Sequence, residues 1–191
     1  MKKKIQLLSL SLILSVFAFA GSRKGFAYGS PEGVKVSFMQ EGGFFGSVFT
    51  GEDFKRVDYG FSYTPRLNFL LSENTSVSAD IPFALGLSSF VNPEAGMGGM
   101  FSFQMPLKAS FNYGLGANED DRFGFFGGSG LGMGYFTFND FWSSESAFTT
   151  GVYLDAGVRA DVGDSGGFTL SFNAMIGKRM NIYGINTTMM F

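Results

Sequence analysis

The sequence YGINTTMMF occupies residues 183–191, and its side chains alternate in character. Successive side chains of a β-strand point to opposite faces, so the odd-numbered residues from Tyr183 to Phe191 share one face. That face is largely apolar. The opposite face carries Gly184, Asn186, Thr188 and Met190. The stretch therefore predicts a strand with one apolar face that ends on an aromatic residue.

The same two-residue alternation recurs in seven further stretches. They cover residues 34–39, 59–71, 76–87, 101–111, 123–135, 152–162 and 168–176. Eight strands are an even number, which lets an antiparallel barrel close with both ends of the chain on one side. The predicted connections 41–57, 88–98, 139–147 and 178–182 then face outward, and 72–75, 114–121 and 163–166 face the periplasm.

The first twenty residues have the features of a secretory signal peptide. Three lysines precede an apolar segment over residues 5–17, and Ala18-Phe19-Ala20 forms a cleavage site. We therefore expect residues 1–20 to be a signal peptide and residues 21–191 to be one barrel domain. The absence of cysteine excludes disulfides, thiol chemistry and a lipoprotein anchor.

The composition narrows the class of protein further. Charged residues make up 16% of the chain, against about 25% in soluble domains, and there are 25 Phe. The net charge is −2, with three of the basic residues inside the signal peptide, which disfavours a nucleic-acid partner. After residue 20 no run of 18 apolar residues exists, so spanning helices are not expected.

Together these features resemble the small bacterial outer-membrane β-barrels of the OmpA, OmpX and OmpW kind. The resemblance implies an all-β fold, an eight-stranded antiparallel up-and-down transmembrane β-barrel, located in the cell outer membrane. It implies contact with outer-membrane lipid and a monomeric state. It also implies recognition by the outer-membrane assembly machinery through an assembly signal in the last strand, comprising Tyr183, Ile185, Met189 and Phe191.

A soluble lipocalin-like barrel would show the same period with its faces reversed. The polar face here consists mainly of Gly, Ser, Ala, Thr and Asn, which suits a narrow interior better than a water-exposed surface. Three prolines fall inside predicted strands, namely Pro65, Pro82 and Pro106. Because proline cannot donate a ladder hydrogen bond, we expect bulges or gaps at these positions.

Seven charged residues fall on predicted inward positions: Lys35, Arg66, Asp80, Lys108, Asp155, Arg159 and Asp161. Buried charges need partners, so one interpretation is an internal ion-pair network that fills the lumen. The alternative is a polar pathway for a small solute. Eight strands leave an interior just wide enough for side chains, which favours the network.

Several aromatic residues fall in predicted outward loops: Phe44, Phe45, Phe49, Phe141 and Trp142. They are candidates for contact with an unidentified surface ligand. The alternative is that they fold over the barrel mouth or extend the strands.

The chain contains no His, the usual general base near neutral pH, so we do not expect an enzyme. The sequence also offers no cofactor or metal motif. It predicts a non-enzymatic barrel that supports the envelope or binds partners through its surface loops. The alternative function is a narrow, porin-like channel for small or apolar solutes.

Overall fold

The computed structural model describes residues 35–51, 55–92, 96–117, 121–139, 144–163 and 166–190. These residues form antiparallel strands. In chain order the strands are β1 (Val36–Thr50), β2 (Lys55–Ser72), β3 (Thr75–Asp80), β4 (Phe83–Asn92), β5 (Gly96–Gln104), β6 (Leu107–Gly114), β7 (Phe123–Asn139), β8 (Ser144–Asp161), β9 (Gly167–Gly177) and β10 (Asn181–Met190).

The strands close into a ring. β1 pairs with β2 on one side and with β10 on the other, so no sheet edge remains between the first and last strands described. β3 and β4 both pair with β2, and β5 and β6 both pair with β7. Each of these two pairs of segments forms one wall strand, which gives a ring of eight and confirms the predicted up-and-down barrel.

Two of the three strand prolines explain why these wall strands are interrupted. The pairing register is the same on both sides of the interruption, because Asp80 pairs with Lys108 before it and Ala84 pairs with Gln104 after it. Pro82 therefore lies opposite Pro106, and neither can donate to the other's carbonyl. The predicted gaps occur at both positions. β2 is continuous through Pro65, but its ladder to β3 and β4 is interrupted there, between the pairs Arg66–Asp80 and Tyr63–Phe83. The Pro65 carbonyl accepts a hydrogen bond from the Ile81 amide at 3.2 Å, and the proline has no amide to donate in return.

The two faces of the barrel differ sharply in chemistry. Large apolar side chains cover the exterior, and aromatic residues concentrate near both ends of this belt. Near one end lie Tyr59, Phe61, Tyr135, Phe148 and Tyr183, and near the other lie Phe111, Tyr113, Phe123, Phe125 and Phe168. Aromatic girdles flanking an apolar band are the pattern of a barrel wall in lipid. Among the described residues, no helix is long and apolar enough to cross a membrane.

The long outward loops predicted from the sequence are largely strand. β1 continues to Thr50 and β2 begins at Lys55, so the connection is 51–54 rather than 41–57. The predicted loops 88–98 and 139–147 likewise shrink to 93–95 and 140–143. We call the end of the barrel with these short connections the outer end, and the opposite end the inner end.

Candidate functional site in the barrel lumen

The centre of the lumen is organised around one carboxylate, Glu41 on β1. Arg66 donates from Nη1 to Glu41 Oε1 at 2.7 Å, and Arg159 donates from Nε to the same oxygen at 3.1 Å. Thr188 on β10 donates to the second carboxylate oxygen at 3.2 Å. Strands β1, β2, β8 and β10 are therefore joined through a single side chain.

The ionic contacts continue around the lumen from Arg66. Its Nε donates to Asp80 Oδ1 at 2.9 Å, and Lys108 Nζ lies 3.4 Å from Asp80 Oδ2. Lys108 also forms an ion pair with Asp155. This charge network is Glu41, Arg66, Asp80, Lys108, Asp155 and Arg159. Its three cations balance its three carboxylates, as buried charges require.

An aromatic ring lies at the centre of these cations. Phe126 on β7 points inward, with its ring centre 4.0 Å from the Arg159 guanidinium carbon. Lys108 Nζ and the Arg66 guanidinium carbon lie 5.5 and 5.8 Å from the same centre. The negative face of an aromatic ring attracts cations, so Phe126 offsets the mutual repulsion of three positive side chains.

A second carboxylate, Asp58 on β2, is fully buried closer to the outer end. Ser47 of β1 and Ser102 of β5 each donate a hydroxyl hydrogen bond to it. Gly86 of β4 provides the space, because a Cβ there would lie 2.9 Å from Phe45 Cζ and would also meet Asp58 and Ser102. Asp58 on β2 thus links β1 to β5 through side-chain hydrogen bonds.

Buried apolar side chains fill the lumen beside Asp58. This outer apolar layer consists of Phe49, Met100, Phe136, Tyr153, Met175, Met180 and Ile182. It draws residues from β1, β5, β7, β8, β9 and β10 and from the β9–β10 connection, whereas Asp58 lies on β2. The rings of Phe49 and Phe136 pack edge to face, with centroids 4.7 Å apart. The layer leaves little apolar surface exposed to water inside the barrel.

A smaller apolar group closes the inner end. This inner apolar layer consists of Met39, Leu115 and Met190. Leu115 belongs to the β6–β7 connection, which turns inward through Gly114 and Gly116 at φ values of 70° and 104°. The Gly116 carbonyl accepts a hydrogen bond from Asn68 at 2.9 Å. This inward turn explains why the predicted periplasmic turn 114–121 is longer than its neighbours.

Between the two layers lies a cavity of about 40 Å³, which we call the chamber. Polar side chains line much of it, among them Glu41, Ser62, Arg66, Lys108 and Asp155, together with Pro82 and Pro106 of the interrupted wall strands. One water needs roughly 10–15 Å³ of such volume, so the chamber accommodates about three.

Inward glycines supply the room for these side chains. On β7, a Cβ at Gly128 would lie 2.6 Å from Asp155 Oδ1, and one at Gly134 would lie 2.7 Å from the Phe136 ring. The Gly-rich face of residues 124–134 therefore accommodates large side chains from its own and neighbouring strands. It contains Phe126 as well as glycines.

The structure separates the predicted charge cluster into members and non-members. Five of its members lie together in the charge network: Arg66, Asp80, Lys108, Asp155 and Arg159. Lys35 and Asp161 do not join them, because both are exposed at the ends of their strands. Glu41, Asp58 and Phe126 belong to the lumen but were not predicted. Glu41 fell in the predicted loop 41–57, and Asp58 fell between that loop and the strand predicted from residue 59.

The predicted surface aromatics are also relocated. Phe44 lies on β1 and faces the lipid side, 62% exposed, whereas Phe45 and Phe49 face the lumen and are buried. The loop assignment of these three residues is wrong, because their strand extends past them. Phe141, Trp142 and Phe191 lie outside the described residues. Tyr183, Ile185 and Met189 face outward on β10, and their role in assembly stays a prediction.

Two solved outer-membrane proteins have a similar fold. Ail, the attachment invasion locus protein of Yersinia pestis, aligns with a TM-score of 0.57 at 15% identity, covering 81% of this chain and 97% of Ail. The chain has the fold of a small outer-membrane β-barrel. Neisserial surface protein A aligns with a TM-score of 0.50 at 12% identity, over 81% of this chain and 97% of its own. No protein-family model and no curated protein matches the chain.

Proposed function

We propose that this chain is a non-enzymatic outer-membrane protein, exported by a signal peptide over residues 1–20. Its lumen is filled by its own side chains, and it acts at the cell surface by supporting the envelope or binding a partner. The observation that carries the proposal is the stacking of two apolar layers around a charge-balanced network, which occupies the lumen along its length. Filling of this kind favours a rigid scaffold over an open pore.

The chemistry of the side chains supports the non-enzymatic part. The sequence contains no His, and the buried carboxylates and cations of the charge network are engaged with one another. A group committed to an ion pair in the lumen is poorly placed to move a proton for a substrate.

Planar-bilayer recording of the refolded protein tests the filled lumen. We expect no reproducible single-channel current from the wild-type barrel. A stable current that disappears in Arg66→Ala or Arg159→Ala would contradict the proposal. Slower gel migration after heating, as the compact barrel unfolds, establishes that the recorded sample is folded.

A polyanion is the first class of surface partner to test. One crystal structure of Ail contains the heparin analogue sucrose octasulfate. In this chain Lys55, Lys178 and Arg179 are exposed at the outer end, where β1, β2 and β10 adjoin. Cations in this position would attract sulfate or phosphate groups.

Binding of sucrose octasulfate to the barrel in detergent, measured by calorimetry, tests this partner class. We expect weak, salt-sensitive binding that is lost in the double variant Lys178→Glu/Arg179→Glu. Lys35→Glu is the matched control, because Lys35 is exposed at the opposite end. Equal binding by the control and the double variant would contradict a site at the outer end.

The second candidate function is a narrow channel for small apolar solutes, and one observation favours it. Pro82 and Pro106 oppose each other in the wall and both line the chamber, so the wall lacks two ladder hydrogen bonds beside an internal space. Uptake of a small apolar solute into proteoliposomes tests this candidate. Uptake that falls in Pro106→Val, which restores a donor, would support it, and uptake equal to that of protein-free liposomes would contradict it.

A further inference from the structure

The chamber has a layer of apolar side chains on each side of it. The outer apolar layer buries Phe49 and Phe136 completely, and the inner apolar layer leaves only 4–7% of its side chains exposed. In the region between, most of the lining residues have polar or charged side chains. The lumen therefore alternates along its axis from apolar to polar to apolar.

Two buried polar atoms at the chamber have no hydrogen-bond partner among the described residues. They are Ser62 Oγ and Asp155 Oδ1, and both residues line the cavity. Leaving a buried polar group without a partner costs about 1–3 kcal/mol. The cavity volume of about 40 Å³ is large enough to satisfy both atoms through water.

We propose that the chamber is a binding site for a small cluster of water molecules, and that the two apolar layers, rather than the charge network, are the barriers that close the lumen. The two layers act in series, so either one alone prevents ion flow. This inference rests on the proposed non-conducting barrel and identifies which residues keep it closed.

The apolar layers form the barrier to ions because they interact with water and ions differently from the charge network. A narrow apolar constriction expels water, and an ion crossing it loses its hydration shell with nothing to replace that shell. The charge network offers the opposite environment, because carboxylates and guanidinium groups hydrate readily and can replace part of an ion's hydration shell. Apolar layers are therefore stronger barriers to ions than salt bridges of balanced charge.

The chain contains no cysteine, so a single introduced thiol reports on access to the chamber. Ser62→Cys places that thiol in the chamber wall at a position whose hydroxyl lacks a partner among the described residues. Silver ion is a suitable reagent because it is small and reacts with thiols. Phe49→Ala/Phe136→Ala opens the outer apolar layer, and Met39→Ala/Met190→Ala opens the inner one.

We expect the thiol of Ser62→Cys to be unreactive when both layers are intact and at least tenfold more reactive when either layer is opened. Bilayer current should appear only when both layers are opened together. The matched control is Phe44→Ala/Phe61→Ala, which removes two aromatic rings from the lipid-facing side of β1 and β2 and should leave both readouts unchanged. Heat-modifiable migration selects the folded samples.

Milder substitutions keep the inference testable if an alanine variant does not fold. Met175→Ser and Met190→Ser remove less volume and introduce one polar atom into each layer. Current from a barrel with only one layer opened would overturn the series arrangement. A reactive thiol in Ser62→Cys with both layers intact would show that the chamber is not sealed. A folded variant with both layers opened that still carries no current would show that the charge network, and not the apolar layers, blocks ions. Current from the wild-type barrel itself would instead contradict the proposed function.

Discussion

The guanidinium carbon of Arg159 lies 4.0 Å from the centre of the Phe126 ring, deep inside the barrel. Arg159 is fully buried and also donates to Asn112 Oδ1 at 2.9 Å and to Glu41. A buried cation held by a ring, an amide and a carboxylate has little freedom to move. The contact between Phe126 and Arg159 therefore joins β7 to β8 inside the lumen, in addition to the backbone pairs between the two strands.

Phe126→Leu should therefore lower the free energy of unfolding by about 2 kcal/mol. A desolvated cation–π interaction contributes about that much, and leucine keeps most of the apolar volume. Phe125→Leu is the matched control because its side chain faces outward on the same strand. Denaturant unfolding in lipid vesicles measures both variants, and equal losses would show that the cations do not matter.

Glu41→Gln should cost about 3–5 kcal/mol of unfolding free energy. The substitution leaves Arg66 and Arg159 without their shared carboxylate in a region closed to bulk water. Asp161→Asn serves as the control, since Asp161 is exposed and accepts only the Gly163 amide among the described contacts. The same unfolding assay applies. A loss for Glu41→Gln no larger than that for the control would refute a cooperative network.

Two adjacent glycines should respond differently to one added methyl group. A Cβ at Gly128 would lie 2.9 Å from the Ala109 carbonyl oxygen, whereas the nearest atom to a Cβ at Gly127 is 3.9 Å away. Overfilling a packed interior costs about 1–3 kcal/mol, so Gly128→Ala should be destabilised and Gly127→Ala should not. Comparing the denaturant midpoints of the two variants is sufficient, and matching midpoints would argue against a crowded lumen.

Pro106→Val should stabilise the barrel by about 1 kcal/mol. Valine supplies an amide that faces the Pro82 carbonyl across the ladder, and a backbone hydrogen bond contributes about this much. Met105→Val is the control, because the Met105 amide already donates to Met133 at 2.9 Å. Thermal unfolding followed by gel migration reports the change. A lower midpoint for Pro106→Val would mean that the gap relieves strain.

The sequence pattern located the strands wherever the lumen is polar. Arg66, Asp80 and Lys108 were recognised because each alternates with an apolar lipid-facing neighbour. The pattern failed over 41–57, where Phe45 and Phe49 both point into the lumen. There both faces of the strand are apolar, so the alternation disappears and the segment resembles a loop. Glu41 was missed for that reason, and Asp58 was missed because the next strand was predicted to begin one residue after it.

Phe126 shows a second limit of pattern analysis. It lies on the inward face of β7, where its nearest inward neighbours, Gly124 and Gly128, are glycines. Strict parity counted from Gly124 would have placed it inside. Its partners Lys108 and Arg159 come from other strands, and only the register of the closed barrel brings them within reach.

Strands β2, β7 and β8 continue past the aromatic residues Tyr59, Tyr135 and Phe148 for about four residues each. At the rise and tilt of barrel strands this raises the wall about 9 Å above the belt. In the proposed orientation, a partner that contacts these strand ends meets hydrogen-bonded backbone whose conformational entropy was lost during folding. Little ordering of this part of the protein would therefore oppose binding.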